Sequence, residues 1–157
     1  YDGIEILKRI PKETKNLFEK NRLLFTNFIP FRVWSNVAPD KPSFNTILAK
    51  FESTTFSYEF DEYDNVHTRY IVSAITQTCY GEAFSNSLLD SATPRFEDGD
   101  PVPRSALLAV LETTEELAVP IEWMTGDVLM VDNAKFMHGR RSFKDASRQI
   151  LVRFSNL

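Results

Sequence analysis

Apolar positions fall at two spacings along this chain, and the changes between them divide it into elements. Near the start, Ile4, Leu7 and Ile10, with Ile6, recur at the spacing of one helical face. Asp2 stands ahead of them as an N-cap, and Pro11 ends that helix or opens the next. Residues 11–21 then predict a second short helix, apolar at Leu17 and Phe18, and residues 22–28 a strand. Helical spacing returns at Phe44, Ile47, Leu48 and Phe51, with Ser43 as the expected N-cap. Residues 54–60 alternate instead, placing Phe56, Tyr58 and Phe60 on one face of a strand. Residues 67–80 are rich in β-branched and aromatic side chains and predict another strand region. Residues 90–103 carry Pro, Gly and polar groups and predict a loop. The clearest helix covers 104–117, with Leu107, Leu108, Leu111 and Leu117 on a broad apolar face. A turn at Thr125–Gly126–Asp127 and a buried strand over Val128–Val131 should then deliver the chain to Asp132 and Asn133. Alternation resumes at Ile150, Val152 and Phe154 against Leu151 and Arg153. No internal repeat, linker or low-complexity tract interrupts this order. The pattern predicts one domain of mixed α and β class over residues 1–157.

Composition removes several function classes. A chain of 157 residues can bury a real core. Its net charge of −4 gives no global attraction to nucleic acid, and no apolar run is long enough to span a bilayer. The 13 phenylalanines suit a filled core or an aromatic-lined pocket, and composition does not separate the two. Cys79 stands alone, so no internal disulfide and no CxxC metal site can form. That fits a reducing, cytoplasmic setting, and a lone Cys in an apolar strand is expected to be a small buried hydrophobe. Glu97, Asp98 and Asp100 lack EF-hand spacing and predict a solvated loop.

Only two histidines are available for catalysis. His67 has Asn65 and Arg69 two residues away, with no carboxylate at short ligand spacing, and is expected at a surface or strand edge. His138 follows the expected buried strand and a turn, where a rigid scaffold presents a functional loop. Arginines follow at 140, 141, 148 and 153. A neutral imidazole can ligate a divalent metal or act as a base, and a nearby guanidinium can grip a carboxylate. Spacing alone leaves metal ligand, base and loop histidine open. No GxSxG elbow, P-loop or GxGxxG is present, and Ser, His and Asp are not ordered locally as a triad.

The stretch from Trp123 to Phe143 resembles the C-terminal signature of the TauD/TfdA family of iron(II)- and 2-oxoglutarate-dependent dioxygenases, clavaminate synthase-like and SyrP-like members included. Trp123, Gly126, Asp127, Asp132, Asn133, His138, Gly139 and Arg140 match its order. Residues 7–28 are similar to the family's Leu-Pro helix pair leading to an aromatic strand, and residues 81–89 to a segment lining the substrate pocket. The resemblance implies a mainly β core, a double-stranded β-helix (jelly roll) with flanking helices. It implies Fe(II) as metal, 2-oxoglutarate as cosubstrate, O2, and a small-molecule substrate such as an amino acid or its derivative. His138 would be the distal histidine of a 2-His-1-carboxylate triad. Arg148 would hold the far carboxylate of 2-oxoglutarate. Arg153 is the second candidate for that role, or would face an anionic group on the substrate. Phe84 and Asn86 would lie at the substrate pocket. The family takes its other two ligands from an upstream His-x-Asp/Glu motif, which neither His67 nor His138 supplies here. The expectation is therefore the C-terminal portion of a dioxygenase domain, inactive alone. The rival expectations are a non-catalytic or degenerate jelly-roll module that binds a small acid or a protein, and an unrelated mixed α and β domain.

Overall fold

The computed structural model describes residues 1–85, 88, 94–139 and 151–152. Their order is α1 (Gly3–Arg9), α2 (Lys12–Lys20), β1 (Leu23–Ile29), α3 (Phe31–Trp34), α4 (Lys41–Ala49), β2 (Phe56–Phe60), β3 (Val66–Val72), β4 (Ile75–Thr78), β5 (Gly81–Phe84), β6 (Arg95–Phe96) and α5 (Arg104–Glu116). The class is mixed α and β with antiparallel sheets. One sheet has the order β2-β3-β1-β6, and β4-β5 form a separate hairpin.

The helix starts follow from local chemistry. Asp2 caps α1, accepting from the Ile4 and Glu5 amides. Pro11 opens α2, where its missing N–H costs nothing. Asp40, not Ser43, caps α4: its carboxylate accepts from the Ser43 amide. Hydrogen bonding from Ser43, its side chain first and its amide second, holds the Asp40 carboxyl below its ordinary pKa. Ser43 was expected at the cap because it begins the apolar pattern. Proline at the second helical position lets the helix start earlier.

The register of the large sheet sets one apolar face. Leu23 opposes Val72, Phe25 opposes Tyr70, and Ile29 opposes Val66, while Phe56, Tyr58 and Phe60 oppose Tyr70, Thr68 and Val66. Two clusters cover opposite ends of that face. The first gathers Leu23 and Phe96 with Ile6, Leu7, Ile10, Phe18, Phe84, Ala106 and Val110. The second gathers Val66 with Trp34, Ala38, Phe44 and Leu48. Trp34 stacks on Phe44 with ring centroids 4.9 Å apart, and its indole N–H donates to the Asp64 carbonyl at 2.7 Å. The short helix α3 that carries Trp34 shows no periodic signal.

Four expectations are corrected. The strand region 67–80 is broken at Ser73 and Ala74 into β3 and β4, which belong to different sheets; propensity alone does not see a change of sheet. Helix α5 buries Ala106, Val110, Thr113 and Thr114, and Leu108 is 41% exposed. Ala106 and Val110 face the core there, with Leu107 and Leu117 partly buried beside them, and the Thr113 and Thr114 hydroxyls are satisfied by the Ala109 and Val110 carbonyls. Cys79 is exposed, in the turn joining β4 to β5. Val128–Val131 is not a buried strand: the run is irregular, with side chains 92%, 49%, 91% and 36% exposed in order. A strand needs a neighbour to take its backbone hydrogen bonds, and this run has none among the described residues.

Candidate functional site

The predicted turn ahead of the signature is present. Asp127 accepts from the Met124 amide at 2.8 Å and donates its own N–H to the Met124 carbonyl. Gly126 has φ +96°, a conformation that glycine adopts without strain. Farther on, Asp132 organises a second turn. Its side chain accepts from the Ala134 amide at 3.0 Å, and its carbonyl accepts from Lys135 and Phe136.

The chain just before His138 is tied to the N-terminal residues. Phe136 and Asp2 form an antiparallel bridge. The Met137 N–H donates to the Tyr1 carbonyl at 3.0 Å, and the Tyr1 nitrogen donates to the Met137 carbonyl at 2.9 Å. The Gly3 N–H donates to the Lys135 carbonyl at 2.8 Å. Lys135 adds side-chain contacts: its ammonium is 3.4 Å from Asp2 Oδ2 and stands over the Tyr80 and Phe136 rings at 4.9 and 4.8 Å. A β-bridge, an ion pair and two cation–π contacts therefore place the residue before His138.

His138 itself is exposed, with no hydrogen bond, ion pair or ring contact to the described residues. The described residues contain no group of three His, Cys, Asp or Glu side chains able to hold a metal ion. Their two imidazoles, His67 and His138, are not joined with a carboxylate in one cluster, and the described residues do not by themselves fit an iron site. Arg148 and Arg153, Arg140 and Asn86 lie outside the described residues. Phe84 is fully buried in the first cluster, edge-on to Phe18 at 5.4 Å, so its ring contacts core, not solvent.

His67 lies at the start of β3, flanked by Phe28 and Glu59 on the neighbouring strands. It is exposed as expected, but on an interior strand of the sheet, and its Nε2 is 3.3 Å from Asp61 Oδ2. That carboxylate, six residues earlier, is invisible to short-spacing reasoning because the β2–β3 turn folds it back. Asn65 donates to the same carboxylate from its side chain and backbone, which lowers the Asp61 pKa. The acidic run behaves as a solvated turn: Arg22 forks onto Glu97 at 2.8 and 2.7 Å, and Asp98 accepts from the Asp100 amide. Two surface hollows of about 250 Å³ flank Glu97, one lined by residues 53–57 with Arg69, the other by Lys20, Arg22 and Asp98; neither includes His138. Among the described residues, no helix is long and apolar enough to cross a membrane.

A clavaminate synthase-like protein of Arabidopsis thaliana is 41% identical over 57 residues, which make up 36% of this chain and 17% of that relative's length. No solved structure matches. The model of the family described as "Taurine catabolism dioxygenase TauD, TfdA family" matches residues 1–155, and the chain belongs to that family.

Proposed function

We propose that the protein is an Fe(II)- and 2-oxoglutarate-dependent oxygenase acting on a C–H bond of a small molecule, such as an amino acid or its derivative. 2-Oxoglutarate would be decarboxylated to succinate. The family membership over residues 1–155 supports the reaction class. The observation that carries the reading to a residue is His138: it stands at the family's distal histidine position, next to backbone held at Tyr1 and Gly3, with its imidazole unpartnered among the described residues. A neutral imidazole is a suitable ligand for Fe(II). The second histidine and the carboxylate of a facial triad would come from outside the described residues. Arg148 would grip the far carboxylate of 2-oxoglutarate in bidentate fashion, with Arg153 as second candidate or as partner of an anionic substrate group. Five residues apart, the two would face opposite sides of an unbroken strand and so take different partners. Asn86, in the segment that follows β5 and Phe84, would contribute to the substrate pocket. The complete fold would be a jelly roll, in which the exposed Val128–Val131 run gains strand neighbours. Oxygen uptake and succinate formation by the full-length protein, with Fe(II), 2-oxoglutarate and a panel of amino acids, test the proposal. Substrate-dependent uptake is expected from at least one class of the panel.

One observation favours a second reading, a non-catalytic module of the same family that binds a small acid or a protein: the described residues hold no group of three His, Cys, Asp or Glu side chains able to take a metal ion. Absence of a His-x-Asp/Glu motif from the full-length protein would favour it.

A further inference from the structure

Arg69 carries a charge that no acid answers. Its guanidinium donates to the Glu97 carbonyl at 3.0 Å, and no carboxylate among the described residues lies within ion-pair distance of it. Glu97 gives it only that carbonyl, because Arg22 forks onto both oxygens of the Glu97 carboxylate at 2.8 and 2.7 Å. The carbonyl bond fixes the direction of the Arg69 side chain and leaves most of its N–H donors for another partner. That side chain lines the hollow of about 250 Å³ beside β2. Ser57, directly across from Arg69 on β2, lines it too, as does Thr54. The hydroxyls of both make no hydrogen bond to the described residues. Arg69, Ser57 and Thr54 are all exposed and can be reached from solvent.

We propose that this hollow binds a small phosphate monoester, with its phosphate group on Arg69. A guanidinium fork takes two oxygens of an oxyanion. A carboxylate has only those two and leaves both hydroxyls unused. A phosphate monoester has three terminal oxygens and close to two negative charges at neutral pH. Its third oxygen accepts from Ser57 and Thr54, and its charge meets Arg69. The Glu97 carboxylate does not oppose it, since Arg22 already neutralises that group. Size narrows the ligand. A volume of 250 Å³ is roughly eight times the 30 Å³ share of one water, more than a bare phosphate fills. It is also smaller than most ligand pockets. A phosphate with a short organic part fits, and Phe56 and Ile71 in the lining supply apolar contact for that part. Because Arg69 is held by the Glu97 carbonyl before any ligand arrives, little of its rotamer freedom is lost on binding.

The test is calorimetric titration of the full-length protein at constant ionic strength with glycerol 1-phosphate, inorganic phosphate and acetate. Wild type is compared with Arg69→Gln, Ser57→Ala and Arg95→Gln. Arg95 is the control: its guanidinium donates to the Gly99 carbonyl at 2.7 Å, and it does not line the hollow. Wild type should bind glycerol 1-phosphate with a dissociation constant of about 1 mM or lower, and acetate at least about tenfold more weakly. Arg69→Gln should weaken the monoester by about tenfold or more, and Ser57→Ala by about fivefold. Arg95→Gln should stay close to wild type. If Arg95→Gln loses as much affinity as Arg69→Gln, the attraction is that of any surface cation and the proposal fails. Acetate binding as tightly as the monoester would overturn the assignment to phosphate. Equal affinity for inorganic phosphate would overturn the assignment to a monoester, since the organic part would then contribute nothing. Should Arg69→Gln not fold, Arg69→Lys keeps the charge and loses the fork. A weakening of about fivefold is expected there, and unchanged affinity overturns the proposal. The hollow does not include His138, so every outcome is independent of the iron reading.

Discussion

Trp34 carries the second cluster in the way that Phe18 carries the first. Both are almost wholly buried, and a side chain of that size contributes about 1.5–3 kcal/mol through burial alone. Trp34 also satisfies the Asp64 carbonyl, so truncation would leave both a cavity and an unpaired acceptor. Trp34→Ala should lower the unfolding free energy by about 3–5 kcal/mol in urea denaturation. Asp61 makes a prediction about pH. Its carboxylate is stabilised first by the Asn65 side chain, so its folded pKa lies below the ordinary 3.8. A depressed folded pKa adds stability above the unfolded value and loses it as pH falls through the folded value. The urea midpoint should therefore drop as pH falls below about 4, and Asp61→Asn should show a shallower drop over that range. At this scale the sequence was partly readable. Asp2 as a cap followed from its place before a helical pattern. The Asp61–His67 contact did not, because it depends on how the β2–β3 turn folds back.

Among the elements, those with a strong period and a local partner were legible. Helices α1, α2 and α4, and the alternation of Phe56, Tyr58 and Phe60 in β2, follow from spacing because each turns most of the face that its own pattern defines toward the core; Phe51, expected on the α4 face, lies past the end of that helix and is 62% exposed. Elements whose definition is non-local were not. The division of residues 67–80 between two sheets depends on which strands lie alongside, as does the two-residue strand β6, which Leu23 and Leu24 pair out of an apparent loop. The leucines of α5 suggested a face that the structure centres on Ala106 and Val110, with Leu107 and Leu117 partly buried beside them and Leu108 turned outward; small side chains let a helix approach a crowded core. The Val128–Val131 run has strand composition without a strand neighbour among the described residues. Helix α1 carries a prediction of its own. Its cap, Asp2, accepts from two amides and pairs with Lys135. Asp2→Ala should lower stability by about 1 kcal/mol through the lost cap, and thermal denaturation would register it. Amide exchange at Ile4 should rise in the same variant.

Across the whole molecule, the signature and the fold supply different parts of the account. The ordered match around His138 made the family legible in sequence, because it fixes residue types that chemistry needs at set positions. Sequence could not show how the loop is held, since Tyr1 and Met137 are 136 residues apart. The structure brings those ends together beside His138, and leaves Arg148 and Arg153 outside the described residues. Iron ligation by His138 in a 2-oxoglutarate-dependent oxygenase is the proposal on which the function turns. It is tested most directly by succinate formation from 2-oxoglutarate in the full-length protein, with Fe(II) and oxygen, comparing wild type with His138→Ala. Wild type should form succinate in an iron-dependent way, and the variant should lose it. Unchanged succinate formation by His138→Ala would contradict the proposal.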